Sequence, residues 1–66
     1  MINHVKEIRV SQGMTQQELA DLLKVSRQTI FSIETGKYIP STILALKISK
    51  LFNKSVEKIF VLERND

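Results

Sequence analysis

The 66-residue sequence contains no cysteine and no tryptophan, with only one proline and two glycines. The absence of cysteine excludes disulfide bonds and thiolate metal sites. A chain this short buries only about 60% of its unfolded surface, so efficient helix packing or a second subunit must hold it together. We expect a single domain over residues 1–66, with no cofactor and no bound metal.

Long hydrophobic runs are also missing. No apolar stretch reaches the roughly 20 residues that a membrane-spanning helix needs, so no membrane partner is expected. Polar and charged residues begin at Asn3, which does not fit a secretory signal peptide and predicts a cytoplasmic protein. Ten Lys and Arg residues against seven Asp and Glu residues give a net charge of +3, which suits an anionic partner without identifying one.

Apolar residues recur at steps of three and four through most of the chain, which is the spacing of amphipathic helices. This spacing predicts an all-α fold of five helices, with a short C-terminal strand over Phe60 to Glu63. The first helix is predicted from about Asn3 to Gln12. The fourth begins after its cap, Ser41, and ends at Asn53, and the fifth runs from Ser55 to Ile59.

The second and third helices have the clearest start signals. Thr15 and Glu18 form a capping box, in which each side chain binds a backbone N–H group of the other residue. Ser26 caps the third helix, and only Lys24 and Val25 precede it, so the turn is tight and the helix axes cross steeply. The apolar spacing predicts the buried positions of this helix pair: Leu19, Ala20, Leu22, Leu23, Val25, Ile30 and Ile33.

The outward face of the third helix is a candidate binding surface. At about 100° per residue, Gln28, Ser32 and Thr35 fall in one arc, and Arg27 and Phe31 flank that arc. A helix fits the major groove of B-DNA, where Arg reads guanine, Gln reads adenine and an apolar group touches the thymine methyl. The face supplies each of these chemistries, although a merely solvated helix face would carry the same types of residue.

The segment TQQELADLLKVSRQTIFSIETGK, residues 15–37, resembles the helix-turn-helix of the Cro/C1-type, or Xre-type, repressors. The similarity continues over residues 40–52 and 56–60 and so covers nearly the whole chain. It implies a lambda-repressor-like five-helix DNA-binding domain of the stand-alone cytolysin-repressor kind, with its helix-turn-helix at residues 16–35. Lys24 replaces the glycine that is frequent in the turn, which implies strain or a different turn geometry, and Phe31 replaces a residue that is commonly polar.

The resemblance also implies roles for individual residues. Gln16, at the N-terminus of the second helix, would bind a DNA phosphate. Arg27, Gln28 and Ser32 would reach the base edges. Further contacts with the DNA backbone would come from three residues, Ser26, Thr35 and Lys37.

Arg9 and Glu34 are charged residues on the otherwise apolar stripes of the first and third helices. On the first helix the stripe consists of Ile2, Val5 and Ile8. An unpaired charge in such a place is costly, whereas a hydrogen-bonded pair is tolerable. The resemblance implies a pair at these positions. We therefore predict a direct, buried ion pair that fixes the orientation of the third helix.

Surplus apolar residues near the C-terminus predict a homodimer. Four large apolar residues in a row, Ile59 to Leu62, exceed what one face of a small monomer can bury. The interface is predicted to centre on Ile39, Val56, Ile59 and Phe60. A two-fold dimer would hold two third helices about 34–36 Å apart, which matches an inverted repeat. The tail strand is also expected to pair with the segment around Ile2. Alternatively, the tail folds back on its own core and dimerisation occurs only on DNA.

Other function classes have less support in the sequence. A single histidine, no cysteine and no glycine-rich phosphate loop leave little for enzyme chemistry, so no catalytic residue and no small-molecule ligand are assigned. Lys47, Lys50, Lys54 and Lys58 form a solvated face more simply than a second DNA contact. The alternative to a homodimeric regulator of double-stranded DNA is an antitoxin or another protein-interaction module that also binds DNA.

Overall fold

The computed structural model describes residues 1–66. In chain order its elements are β1 (Ile2–Asn3), α1 (Val5–Ser11), α2 (Gln16–Leu23), α3 (Arg27–Glu34), α4 (Thr42–Phe52), α5 (Val56–Ile59) and β2 (Phe60–Val61). The predicted arrangement of five helices with a short C-terminal strand is confirmed. None of these helices has the length and apolar character that crossing a membrane would require.

Local sequence signals set the starts of α2 and α3. Thr15 Oγ1 accepts a hydrogen bond from the backbone N–H of Glu18 at 3.0 Å, and Glu18 Oε1 accepts one from the backbone N–H of Thr15 at 2.9 Å. Two hydrogen bonds to Thr15 hold the pKa of Glu18 below its usual value, and the bond to the backbone N–H has the larger effect and the bond to the side chain the smaller one. Ser26 Oγ accepts a hydrogen bond from the backbone N–H of Thr29 at 3.1 Å, as the N-cap prediction requires.

The turn between α2 and α3 contains a lysine in a conformation that favours glycine. Lys24 has φ 59° and ψ 42°, in the left-handed region. This region costs a residue with a Cβ atom about 1–2 kcal/mol. The backbone N–H of Val25 donates to the carbonyl of Ala20 at 3.0 Å, which closes the end of α2. Lysine therefore takes the position that glycine frequently occupies in this turn, and it does so with local backbone strain.

One hydrophobic core of twelve buried residues joins the helices. In the α2–α3 pair, Leu19, Ala20, Leu23, Ile30 and Ile33 are all at most 5% exposed. These residues lock the two helices at a fixed angle, and the outer face of α3 is thereby held in place.

Two details of the predicted core are wrong. Leu22 is 59% exposed, because α2 presents one face to the core and Leu19 and Leu23 already fill it. On α4 the apolar spacing predicts a buried stripe of Leu44, Ile48 and Leu51, but the last fully packed position is Phe52, at 2% exposed, and Leu51 is only partly buried against the core. Both errors concern apolar residues adjacent in sequence, where helical spacing alone does not decide which one points inward.

The N-terminal segment pairs with the tail in an antiparallel sheet. Ile2 lies opposite Val61, and Asn3 lies opposite Phe60. The first helix therefore begins at Val5, not at Asn3 as predicted. Ile2 belongs to the strand and is 46% exposed, so its predicted place on the inner stripe of α1 is also wrong. The tail strand does lie beside the segment around Ile2, as one interpretation of the sequence proposed.

Candidate nucleic-acid interface

The outer face of α3 is an exposed surface on a rigidly packed helix. Ile30 and Ile33 turn inward, while Arg27 and Gln28 are exposed near the N-terminal end and Phe31 is 39% exposed. The side-chain hydrogen bonds at this end of α3 join Ser26 and Thr29 at the N-cap, and the exposed side chains of Arg27 and Gln28 form no hydrogen bond or ion pair within the chain. Exposed arginine and glutamine on one helix face are the groups that read guanine and adenine in a major groove.

The ends of α3 differ in the groups that they offer. Ser26 Oγ lies 3.0 Å from Thr29 Oγ1, an arrangement in which either hydroxyl can be the donor, so the Ser26 proton can turn outward. Thr35 Oγ1 donates to the carbonyl of Phe31 at 2.9 Å. The Thr35 hydroxyl proton is therefore used within the helix and does not reach a phosphate in this conformation. Lys37 is exposed just past the end of α3.

The predicted ion pair between α1 and α3 is present. Arg9 Nε donates to Glu34 Oε2 at 2.7 Å, and Arg9 Nη2 donates to Glu34 Oε1 at 3.2 Å. The two side chains are only 9% and 3% exposed. Arg9 Nη1 also donates to the carbonyl of Met14 at 2.8 Å. The guanidinium group thus joins α1, the segment before α2 and the C-terminal turn of α3.

Gln16 belongs to the same buried network. Its Nε2 atom donates to Glu34 Oε1 at 3.0 Å, across 18 positions of sequence. Gln16 is the residue predicted to bind a DNA phosphate. One of its two amide protons is therefore used by Glu34, and the other remains available. Glu34 sets the orientation of the Gln16 side chain, which no local spacing in the sequence could indicate.

A groove beside α3 adds two residues that the sequence analysis did not single out. Gln28 and Ser32 line it together with Thr29 and Tyr38. Tyr38 is 44% exposed, and its backbone N–H donates to the carbonyl of Ser32 at 3.2 Å, which holds the residue beside α3. A phenol hydroxyl can donate a hydrogen bond to a phosphate or a base. Tyr38 lies in the loop after α3, so helical periodicity could not place it on this surface.

A family model described as "Helix-turn-helix" matches residues 5–59. The chain belongs to the Xre/Cro-type helix-turn-helix family. This is a family of DNA-binding transcriptional regulators and not a class of enzymes. The matched residues include all five helices, with α2 and α3 as the helix-turn-helix itself.

Similar proteins cover most or all of this helix-turn-helix chain. The uncharacterized HTH-type transcriptional regulator YgzD of Bacillus subtilis is 46% identical over 66 residues, which are 100% of both chains. One from Methanocaldococcus jannaschii is 48% identical over 66 residues, again 100% of both. The competence pilus inhibition repressor of Acinetobacter baylyi is 39% identical over 61 residues, 92% of this chain and 56% of that protein.

A solved structure shows the same fold. The crystal structure of the restriction-modification controller protein C.AhdI from Aeromonas hydrophila has a TM-score of 0.78 against this helix-turn-helix chain. The two are 24% identical in sequence, and the match covers 86% of each chain.

The residues predicted for a dimer interface of the helix-turn-helix protein fall into two groups. Ile39 is 68% exposed, and it lines an apolar groove with the partly buried Val56 and with Leu46, which is 56% exposed. Phe60 is only 9% exposed but borders the same groove. Ile59 is fully buried in the monomer's own core, so it cannot contact a second subunit and is removed from the predicted interface.

Proposed function

We propose that the protein is a transcriptional repressor that binds an inverted-repeat operator in double-stranded DNA as a homodimer. The exposed face of α3 carries this proposal, because its arginine and glutamine have no partner in the chain while the helix beneath them is rigidly packed. Regulation by repression is suggested by the similarity to the competence pilus inhibition repressor.

In this proposal α3 lies in the major groove and reads base edges through its N-terminal half. Arg27 binds guanine O6 and N7, Gln28 binds adenine N6 and N7, and Phe31 contacts a thymine methyl group. Ser32, in the next turn, reaches a neighbouring base. The specificity of the protein then depends on a few side chains that a fixed helix presents together.

The DNA backbone is held from both ends of the helix pair. Gln16 donates its free amide proton to a phosphate, and the buried Glu34 carboxylate keeps that amide in position. Ser26 and Lys37 supply further donors at the two ends of α3. Such contacts fix the register of α3 on the duplex, and they do not distinguish one sequence from another.

The apolar groove supports the homodimer. Its exposed members, Ile39 and Leu46, flank the partly buried Val56 and the edge of Phe60. Contiguous apolar surface of this kind is typical of an interface. A two-fold dimer through this groove would present two copies of α3, and an inverted repeat has the same two-fold symmetry.

Removing either base-reading side chain is expected to weaken operator binding. Arg27→Ala and Gln28→Ala should each cost about 1–3 kcal/mol and should relax specificity at one base pair of each half-site. The measurement is a gel-shift titration on the operator and on its single-base-pair variants at one salt concentration. Gln17→Ala is the control, because Gln17 lies on the exposed side of α2 and hydrogen-bonds only Asp21.

Gln16→Ala provides the contrasting result. It should weaken binding to all duplexes by a similar factor, since a phosphate contact carries no base preference. If Arg27→Ala and Gln28→Ala both kept wild-type operator affinity, the outer face of α3 would not be the base-reading surface.

A further inference from the structure

We propose that the protein has a second DNA-contacting surface beside α3, here called the lysine groove, which binds the backbone of one DNA strand. It lies between the α2–α3 turn and α4, and its polar residues are Lys24, Thr29, Tyr38, Ser41 and Lys47. The occupant is the phosphodiester chain beside the base pairs that α3 reads. This inference rests on the proposed function and adds a phosphate-binding surface to it.

The first argument is that the lysine groove is continuous with the base-reading face. The groove beside α3 is lined by Gln28 and Ser32, two of the proposed base-reading residues. Thr29 and Tyr38 line that groove and also the lysine groove. The two grooves therefore adjoin at Thr29 and Tyr38, so a strand whose bases contact α3 would lead past the tyrosine toward the lysines.

The second argument is the charge of the surface. None of the residues that line the lysine groove is acidic. Lys24 and Lys47 also line an adjoining depression with Lys50, which again contains no acidic residue. The close contacts between basic and acidic groups in the protein involve the N-terminal amine, His4 and Arg9, and none involves a lysine. These ammonium groups are therefore available to an anion, and a polyanion would contact them in sequence.

The third argument is the backbone of Lys24. Its φ of 59° would be relaxed for glycine and is strained for lysine. A glycine here would remove the strain and also remove a positive charge from the groove. Ser41 is compatible with the same function, since its Oγ accepts a hydrogen bond from the backbone N–H of Leu44 and its own proton is free to donate to a phosphate.

The test measures how DNA binding depends on salt. Each phosphate contact that is lost should reduce the slope of log affinity against log salt concentration by about 0.9. The Lys24→Gln/Lys47→Gln double variant should therefore reduce this slope by roughly 2 for each bound protomer, and so by roughly 4 for the proposed homodimer. The reduction should be equal on the operator and on a scrambled duplex, with base preference unchanged. The control is Lys54→Gln/Lys58→Gln, which removes the same charge from exposed positions that do not line this groove.

Lys24→Gly distinguishes the effect of the Lys24 side chain on DNA binding from the effect of its strained backbone on stability. It should raise the temperature of thermal unfolding, because glycine relieves the left-handed strain, and it should nevertheless weaken binding to both duplexes. A general loss of fold would lower the unfolding temperature and the affinity together, and circular dichroism distinguishes that case.

Three results would overturn the proposal that the lysine groove binds DNA phosphates. One is a wild-type salt slope in the double variant, as expected if an acidic protein occupies the surface. Another is an equal reduction in the control, which would indicate an effect of net charge alone. In both cases wild-type selection of an operator would leave the proposed function intact. The third is a wild-type protein that binds no duplex, which would overturn both proposals.

Discussion

Glu34→Ala, with Arg9 left in place, is expected to destabilise the protein by about 3–5 kcal/mol. The Arg9 side chain is 9% exposed and loses both of its carboxylate hydrogen bonds in this variant. An unpaired guanidinium group would then remain in the core. Because domains of this size have little stability to lose, such a change approaches the whole free energy of unfolding.

Urea unfolding followed by circular dichroism measures this effect. Glu57→Ala is the control, since Glu57 is exposed on α5 and forms no ion pair. The double variant Arg9→Met/Glu34→Leu should be more stable than Glu34→Ala, because no charge is left without a partner. Glu34→Ala with the stability of the Glu57→Ala control would contradict the structural role given to the pair.

The double variant also tests the link between the ion pair and Gln16. It restores an apolar contact between α1 and α3 but removes the carboxylate that binds Gln16 Nε2. We expect a folded protein whose affinity for all duplexes resembles that of Gln16→Ala. The ion pair would thereby affect DNA binding through Gln16 as well as through the orientation of α3.

Leu46→Asp is expected to convert the proposed homodimer into a monomer, because the loss of an interface hot spot costs dimerisation about 2 kcal/mol or more. Operator binding, which the proposal assigns to the dimer, should weaken with it. Leu46 is a cleaner target than Val56, since Leu46 is 56% exposed in the monomer and Val56 packs partly against the core. A carboxylate in the centre of an apolar interface would lose water without gaining a partner.

Sedimentation velocity at micromolar concentration without DNA measures the oligomeric state. Val10→Asp is the matched control, because Val10 is 58% exposed on α1 and does not line the apolar groove. A wild-type protein that sediments as a monomer would contradict the stable dimer. The apolar groove would then pair only on DNA, or it would bind another protein, as the antitoxin alternative requires.

The elements that the sequence predicts well are those defined by local chemistry. The capping box of Thr15 and Glu18 and the N-cap of Ser26 involve residues three positions apart, so the sequence contains all of the necessary information. Arg9 and Glu34 could be paired across 25 positions because each is a charge on an otherwise apolar stripe. One charge in the core requires the other.

Features that depend on tertiary packing could not be predicted in the same way. The pairing of the tail with the segment around Ile2 is suggested by the sequence, but the strands are only two residues long on each side, too short for an alternating pattern to show that α1 begins at Val5. Ile59 belongs to the apolar run that predicted an interface, but α5 places its side chain in the core. The Gln16–Glu34 hydrogen bond and the position of Tyr38 likewise depend on tertiary packing, which neither local spacing nor helical periodicity indicates.

The most direct test of the central claim is selection of bound sequences from random double-stranded DNA with the wild-type protein. We predict enrichment of an inverted repeat whose half-site centres lie about one helical turn apart, roughly 10–10.5 base pairs or a multiple of it. Each half-site should contain a guanine and an adjacent adenine as the positions of strongest preference, as Arg27 and Gln28 require. Recovered sequences with no enriched motif would contradict sequence-specific binding, and an enriched single half-site would contradict binding as a two-fold dimer.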